Sequence, residues 1–296
     1  SAISVVPAGK LSTSCWSVSA ATRHDRTHYA PPPCNAPSPV NNSDLPALGA
    51  IPDKPDPRDM IKVGVDAPLP DRVDLRPYGR TTPWHQQQVG CCSGCATSAM
   101  IANVYGRLHP GKGWDASPLW IYYKARERGG LLAVDRGAHL RDVMKTLQQD
   151  GIAPLFAHPT MTDWRLPPTP DADRLAGYMK IKDYQRIPVD PVAPDTMQRC
   201  LAHESLPLLV AVNLFQNVNS PQVRFDGHIP MPIAEDQIYG PHAMLVDGYD
   251  RATRRFSGWN SWGKTWGDGG RFTLPFEYFS RPDLAFDIWT LSFAYW

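Results

Sequence analysis

Three short stretches of the sequence contain the residue types that covalent catalysis by a thiol requires. Such catalysis needs a thiolate, a base that holds its proton and a third group that orients the base. A helix dipole and a nearby imidazolium both favour the thiolate of a cysteine at the start of a helix. The stretches are HQQQVGCCSGCATSA at 85–99, YGPHAMLVDGYD at 239–250 and GWNSWGKTWGDGG at 258–270. We therefore expect a cysteine nucleophile, His242 as the base and Asn260 as the orienting group.

The elements that would position these residues fall into two groups along the chain. Small residues without proline predict a helix over 93–107, followed by a helix over 117–128 and a third that Gly151 ends. Residues 152–190 are rich in loop signals. Beyond them the sequence predicts one short helix and then strands; these are 195–203, 208–215, 243–249, 255–259, 270–274 and 288–293. This order predicts an α+β fold with a helical half, an antiparallel β half and a cleft between them.

The histidine and the asparagine are expected on two strands that pair side by side. His242 would open one strand and Asn260 would close its neighbour. Such a hairpin brings both side chains to one edge, where the amide oxygen of the asparagine accepts a hydrogen bond from the imidazole. Trp262, two residues further on, is expected to shield this hydrogen bond from water and so strengthen it.

About residues 70–296 resemble the papain family of cysteine proteases. The resemblance rests on LPDRVDLRP before the cysteine, NSWGKTWGDGG after the histidine and the chain order Cys, His, Asn. The phrases GAIPDKPDPRD and SPLWIYYKAR look like the bacterial, xylellain-like branch of the family. The resemblance implies a two-lobed fold: a mainly helical lobe with the nucleophile at 70–190, a mainly β, barrel-like lobe with the histidine and asparagine at 191–296, and the active-site cleft between them.

Two registers compete for the nucleophile, because the family's usual C-G-S-C-W reads C-S-G-C-A here. If Cys92 is the nucleophile, Gln86 occupies the family position of the glutamine that stabilises the oxyanion. If Cys95 is the nucleophile, that position is Val89 and no amide donor remains. Loss of such a donor costs about 10²–10³ in rate. We therefore assign Cys92, with Gln86 as the donor and Gln87 as a lesser candidate.

The resemblance implies a cysteine endopeptidase that acts on protein or peptide substrates. The Cys92 thiolate would attack a peptide carbonyl, and the oxyanion would lie between the Gln86 amide and the Cys92 backbone N–H. His242 would protonate the leaving amine and later activate the water that releases the acyl-enzyme, while Asn260 holds the imidazole. No metal or organic cofactor is required.

Three other interpretations remain beside this one. The altered cysteine loop is compatible with a catalytically silent papain-fold protein that binds or inhibits a partner. The same chemistry could instead serve an aminopeptidase, a transpeptidase or an amidase. Cys92 and Cys95 also have the spacing of two zinc ligands, but no second pair completes a site.

The first 69 residues are interpreted as an extended, prosegment-like region. Of 31 prolines, 12 lie in residues 1–70, and such a segment forms few helices. The hypothesis is that it lies along the cleft as an intramolecular inhibitor and covers Cys92. Deletion of residues 1–40 is then expected to raise peptidase activity, while residues 50–70 wrap the body.

The overall composition excludes some classes of partner. A formal charge of +1 gives no basic excess, so nucleic acid and anionic membrane are not expected as partners. The sequence contains no run of 18 apolar residues, so a membrane-spanning helix is not expected. A monomer is expected. No residue determines the cellular compartment, although a secreted or periplasmic location fits a latent bacterial protease.

Overall fold

The computed structural model describes residues 47–293, and all statements below concern this part of the chain. Its helices are α1 (Cys92–Leu108), α2 (Pro118–Arg128), α3 (Leu140–Gln149), α4 (Pro170–Ala176), α5 (Ala193–Arg199) and α6 (Pro221–Asp226). Its strands are β1 (Ala50–Ile51), β2 (Arg72–Asp74), β3 (Ala138–His139), β4 (Ile181–Arg186), β5 (Leu208–Phe215), β6 (Ile238–Asp250), β7 (Arg255–Trp259), β8 (Arg271–Pro275) and β9 (Ala285–Phe293). No helix in this part is long and apolar enough to cross a membrane.

Seven strands form one antiparallel sheet, and two short strands form a separate parallel pair. The order in the large sheet is β4-β9-β5-β6-β7-β8, with β2 paired to β6 outside this path. The small pair joins β1 to β3, with Ala50 opposite Ala138 and Ile51 opposite His139. The parallel pair is important for the site, because β1 lies next to the residues at the start of α1.

Helix α1 is the central helix of the molecule. Every residue from Cys92 to Val104 is buried, and its small side chains allow close packing. At Gly94, an added Cβ would lie 2.2 Å from the carbonyl oxygen of Pro118, the first residue of α2. The two helices therefore cross at a distance that only glycine permits. The helix expected over 93–107 is confirmed.

Two apolar cores lie on opposite faces of the sheet. Side chains alternate between the faces of a strand with period two. On β5, Leu209 and Ala211 belong to the core shared with α1 to α4, whereas Val210 and Val212 belong to the core shared with α5 and α6. This arrangement of helices beside one antiparallel sheet confirms the expected α+β fold.

The structure differs from the sequence-based expectation between residues 152 and 190. This part was expected to be mostly loop, yet it contains α4 and the six-residue strand β4. The segment of β4 reads IKDYQR, and only Ile181 is fully buried, so no apolar alternation indicates a strand. Pairing with β9 at the edge of the sheet supplies the hydrogen bonds that stabilise it. Together, β2 and β4 bring parts of 70–190 into the large sheet.

Candidate active site

Cys92 is the first residue of α1, and its side chain is completely buried. The preceding turn ends at Gly90, and Cys91 is the N-cap residue. The Cys92 sulfur accepts the backbone N–H of Ala243 at 3.4 Å, which connects the nucleophile candidate to β6. A thiol in this position also faces the positive end of the helix dipole.

His242 and Asn260 meet because β6 and β7 pair as an antiparallel hairpin. His242 lies within β6, and Asn260 is the first residue after β7. The imidazole Nε2 is 2.8 Å from Asn260 Oδ1. The same amide oxygen accepts the backbone N–H of Ser261 at 2.7 Å, which determines how the amide is oriented. Since an amide oxygen only accepts, Nε2 carries the hydrogen.

The other imidazole nitrogen is left with a lone pair. His242 Nδ1 is buried and has no hydrogen-bond partner among the described residues. The Cys92 sulfur lies against Ala243, the next residue in the chain, but makes no hydrogen bond with the imidazole. The structure therefore brings Cys92, His242 and Asn260 into one region, with a direct hydrogen bond only between the last two.

Trp262 covers the imidazole, as its position in the sequence suggests. The two rings lie 4.9 Å apart at an angle of 32°. Trp266 packs edge-on against Trp262 at 5.0 Å. Both indoles belong to the core of the β side of the molecule, so the hydrogen bond between His242 and Asn260 is shielded from water.

Gln86 is completely buried and its amide is held from both ends. Its Oε1 accepts the Ser261 hydroxyl at 2.5 Å. Its Nε2 donates to the carbonyl oxygens of Val89 at 2.8 Å and Ala47 at 2.6 Å. The amide N–H group is thus directed at a peptide carbonyl. The lesser candidate, Gln87, is exposed and has a φ of 54°.

The residues around Ala47 form a covering segment, defined here as residues 47–51. Its Gly49 is in direct contact with the turn before Cys92, because a Cβ at this position would lie 1.8 Å from the carbonyl oxygen of Gly90. The Gly49 carbonyl accepts the Ala138 N–H at 3.1 Å. These described residues lie against the turn before the thiol, and they are not part of the stretch 1–40 whose deletion was expected to raise activity. The first 46 residues lie outside the described part.

Burial determines the charge state of the thiol and the imidazole. It raises the pKa of Cys92 to about 12, although the backbone N–H groups of Ala243 and Gly49 act in the opposite direction. Burial also lowers the pKa of His242 to about 4, against the effect of the hydrogen bond to Asn260. With the covering segment in place, both groups are therefore neutral near pH 7.

Cys95, the alternative nucleophile, lies one helical turn further along α1. Its sulfur is 3.8 Å from that of Cys91, and both thiols are buried and free. Cys95 also borders a narrow internal cavity beside Asn260 and Ser261. Its Sγ makes its hydrogen-bond contact with another cysteine and not with β6.

Sequence reasoning missed several residues that hold this site together. Ser261 orients both Asn260 and Gln86, and its place in the NSW motif was the available signal. Gly49 lies in the phrase GAIPDKPDPRD, which was noted only as a family resemblance. Tyr122, whose hydroxyl lies near the same turn, lies in the phrase SPLWIYYKAR, which was likewise noted only as a family resemblance.

Comparisons with known proteins find relatives of the same fold. The chain is similar to the crystal structure of xylellain, a cysteine protease from Xylella fastidiosa, with a TM-score of 0.76 and 29% identity over 87% of this chain and 100% of that one. It is also similar to an uncharacterized peptidase C1-like protein of Acanthamoeba polyphaga mimivirus, 27% identical over 70% of this chain and 68% of the relative. Digestive procathepsin L2 from the larval midgut of Tenebrio molitor shares the fold, with a TM-score of 0.66 and 17% identity over 86% of this chain and 81% of that one. No protein-family model matches the chain.

The fold and these relatives define the class of protein. The chain is a papain-like cysteine protease, and therefore a hydrolase with the two-lobed α+β architecture. Within that family it is consistent with the bacterial branch to which xylellain belongs.

Proposed function

We propose that the protein is a cysteine endopeptidase that uses Cys92, His242 and Asn260, and that the covering segment keeps it latent. The observation that carries the assignment is the pair formed by Nε2 of His242 and Oδ1 of Asn260 at 2.8 Å. This pair leaves Nδ1 as an acceptor, on the residue next to Ala243, whose N–H contacts the Cys92 sulfur.

The covering segment lies in a groove beside Cys92. The reaction begins when the segment leaves this groove and water and substrate take its place. The thiol proton passes to His242 Nδ1, and the helix dipole favours the thiolate that remains. The sulfur attacks the peptide carbonyl carbon, and Gln86 Nε2 with the Cys92 N–H holds the oxyanion. His242 then gives its proton to the leaving amine and activates a water molecule, which hydrolyses the thioester.

The geometry of Gln86 supports its role as the oxyanion donor. Its Nε2 already donates to a peptide carbonyl, that of Ala47, at 2.6 Å. This carbonyl stands in for the substrate oxygen that the donor would hold. Ser261 prevents the amide from turning, because its hydroxyl donates to Oε1. A donor oriented before the reaction costs no reorganisation in the transition state.

The covering segment follows both sides of the thiol, which supports an endopeptidase over an aminopeptidase. On one side Leu48 packs against Gly240, where an added Cβ would meet its Cδ1 at 2.8 Å. On the other side β1 pairs with Ala138 and His139. These contacts support an extended chain that runs past Cys92 in both directions.

The orientation of the covering segment explains why it would inhibit and resist cleavage. The Gly49 N–H lies close enough to the Cys92 sulfur to lower the pKa of the thiol. The sulfur of the nucleophile candidate therefore accepts an amide hydrogen from the covering segment. The neutral thiol and neutral imidazole of this state add to the latency, because attack requires the thiolate.

The test displaces the covering segment from the groove by a substitution that adds one methyl group. In Gly49→Ala the new Cβ would collide with the Gly90 carbonyl, so the segment is expected to leave. Labelling of Cys92 by a thiol-directed epoxide, located by peptide mass spectrometry, should then become at least tenfold faster and peptidase activity should rise. Gly113→Ala is the matched control, because a Cβ there meets nothing within 4 Å.

Each outcome of this test has a separate meaning. Equal labelling of the two variants, with equal folding, contradicts latency. Labelling that is lost in His242→Ala supports the nucleophile–base pair, and labelling at Cys95 corrects the register. If the Gly49→Ala protein takes no epoxide at all, the chain is a silent papain-fold binding protein. Cleavage within a blocked peptide separates an endopeptidase from an aminopeptidase.

A further inference from the structure

Two loops line the groove on its helical side. The first is the turn before the nucleophile, residues 86–91, and the second is the loop 131–139, which ends in β3. Both contact the covering segment: Gly49 packs on the Gly90 carbonyl, and its own carbonyl accepts the Ala138 N–H at 3.1 Å. Any extended peptide in this groove depends on how the two loops are placed relative to each other.

A polar bridge joins the two loops through α2. The Asp135 carboxylate accepts the Gly90 N–H at 3.0 Å and the Tyr122 hydroxyl at 2.5 Å. The Tyr122 oxygen in turn accepts the Gly137 N–H at 3.0 Å. One carboxylate and one hydroxyl therefore connect a backbone amide two residues before Cys92 with the amide next to β3.

Helix α2 also holds the second loop by a buried guanidinium. One guanidinium nitrogen of Arg126 lies within hydrogen-bond distance of three carbonyl oxygens of the loop; these belong to Leu131, Leu132 and Val134. Its guanidinium lies over the Tyr122 ring at 4.7 Å. The tyrosine is completely buried and cannot turn away from the bridge. The hydroxyl is therefore presented from a rigid element.

Glycine at both ends of the bridge allows this close arrangement. A Cβ on Gly90 would lie 3.0 Å from the Asp135 carboxylate and 3.2 Å from the Tyr122 hydroxyl. Gly137 has a φ of 98°, a conformation that other residues rarely adopt. A side chain at Gly90 would press on the two bridging groups, and one at Gly137 would collide with Gly49 and strain the backbone, so both positions favour glycine.

We propose that Asp135 and Tyr122 are positioning residues that set the distance between the nucleophile turn and the loop that pairs with the substrate backbone. The inference rests on the proposed function and deepens it. Tyr122 acts on peptide binding, because its hydroxyl holds the loop next to β3. Asp135 acts on binding and on chemistry, because it also holds Gly90.

The decisive variant is Tyr122→Phe, which keeps the ring and removes only the hydroxyl. It is compared with Tyr123→Phe, the adjacent tyrosine on α2, in the full chain that also carries Gly49→Ala. The concentration of active sites is measured by titration with the epoxide, and rates are expressed per active site. On this basis Tyr122→Phe is expected to raise KM for a peptide substrate about tenfold, with kcat within twofold. Alkylation by iodoacetamide, which contacts only the thiol, should stay unchanged.

The aspartate gives a different pattern. Asp135→Ala leaves the Gly90 N–H without its acceptor and should raise KM and lower kcat together. Asp135→Asn retains one oxygen for that amide and is expected to recover part of kcat. A variant that merely destabilised the fold would lower the number of titrated sites and leave the kinetics of each site unchanged, so the split between KM and kcat separates the two roles.

Backbone hydrogen exchange tests the bridge without any activity. Exchange at the Gly137 amide should become faster in Tyr122→Phe, and exchange at Gly90 should become faster in Asp135→Ala. If Tyr122→Phe matches Tyr123→Phe in both KM and exchange, the proposal is wrong. If Cys92 takes no epoxide, the proposed function is wrong, and hydrogen exchange alone then tests whether the bridge holds the two loops. Faster exchange in the variants supports the bridge, and unchanged exchange overturns it.

Discussion

At the scale of single residues, the site depends on amide groups that are held in one orientation. Ser261 contacts two of them, since its backbone N–H donates to Asn260 and its hydroxyl donates to Gln86. The imidazole of His242 receives its orientation from Asn260 in the same way. One serine between two functional side chains therefore couples the oxyanion donor to the orienting group of the base.

Mutation can distinguish the role of Gln86 from that of the neighbouring Gln87. Gln86→Ala removes the donor that faces a peptide carbonyl, and kcat of the opened enzyme is expected to fall about 10²–10³-fold with a smaller change in KM. Alkylation of Cys92 by iodoacetamide should change little, because that reaction forms no oxyanion. Gln87→Ala serves as the control, since Gln87 is exposed. Equal kcat in the two variants would assign the oxyanion donor elsewhere.

At the scale of elements, the crossing of α1 and α2 places both the nucleophile and the bridge. Gly94 lies two residues after Cys92, and its Cα faces the first turn of α2. Tyr122 lies on the same helix, one turn further along. The close approach at Gly94 therefore determines how far the Tyr122 hydroxyl reaches toward the nucleophile turn.

The crossing is expected to tolerate no side chain. In Gly94→Ala the new Cβ would lie 2.2 Å from the Pro118 carbonyl. Overpacking of this kind lowers the free energy of unfolding by about 1–3 kcal/mol, which outweighs the roughly 1 kcal/mol that alanine gains over glycine in a helix. Denaturation followed by tryptophan fluorescence would measure the difference. Gly113→Ala is again the control, and equal midpoints for the two variants would contradict the packing argument.

At the scale of the whole molecule, charged residues far apart in sequence anchor the chain that follows the covering segment. The Asp53 N–H donates to Asp287 at 2.9 Å, and Arg186 contacts Asp287 at 2.7 Å. Arg141 donates its backbone N–H to Asp53 and its guanidinium to Asp59 at 2.6 Å. Three carboxylates thus share two guanidinium groups, which favours a proton in the cluster.

Two further groups face this cluster. Trp289 donates its indole N–H to Asp53 at 3.0 Å, and the His139 ring lies 3.7 Å from the same carboxylate. Burial, followed by the charge of Asp53, raises the pKa of Asp287 to about 8. Burial also raises the pKa of Asp53 itself. While the covering segment is bound in the groove (the docked state), Asp53 and Asp287 therefore hold a proton that they would lose in water.

Because the docked state holds this proton, we predict that the covering segment inhibits less strongly as the pH rises. A carboxyl group whose pKa is raised by docking stabilises the docked state at low pH, and this stabilisation is lost as the pH rises toward about 8. His242 acts in the opposite sense, because its pKa of about 4 lies below the ordinary 6.5. Below pH 6.5 the two effects oppose each other, and between 6.5 and 8 the carboxyl pair dominates.

The measurement is the rate of epoxide labelling of Cys92 in the natural chain divided by the rate in Gly49→Ala. The ratio removes the intrinsic reactivity of the thiol, and it is expected to rise from pH 6.5 to 8 by at most about tenfold per unit. Asp287→Asn should make the ratio independent of pH in this window. A ratio that falls as the pH rises would show that the carboxyl pair does not control docking.

The candidate site residues and the order of most elements could be predicted from local sequence patterns. Small residues without proline predicted α1, a proline in the first turn predicted α2, and helical periodicity with a terminal glycine predicted α3. The NSW motif with a histidine on a strand indicated the site. These features are readable because each depends on neighbours within a few residues, where side-chain spacing and backbone preference act directly. The strand β4 was missed because its stability comes from pairing with distant β9.

Contacts between groups far apart in the sequence became visible only in the folded molecule. Residues 47–51 lie on Cys92 because three glycines, at 49, 90 and 137, allow two loops and the covering segment to approach at backbone distance. The charge states of Cys92 and His242 likewise follow from burial. Close packing and desolvation depend on the whole surroundings of a group, and no local pattern in the sequence encodes them.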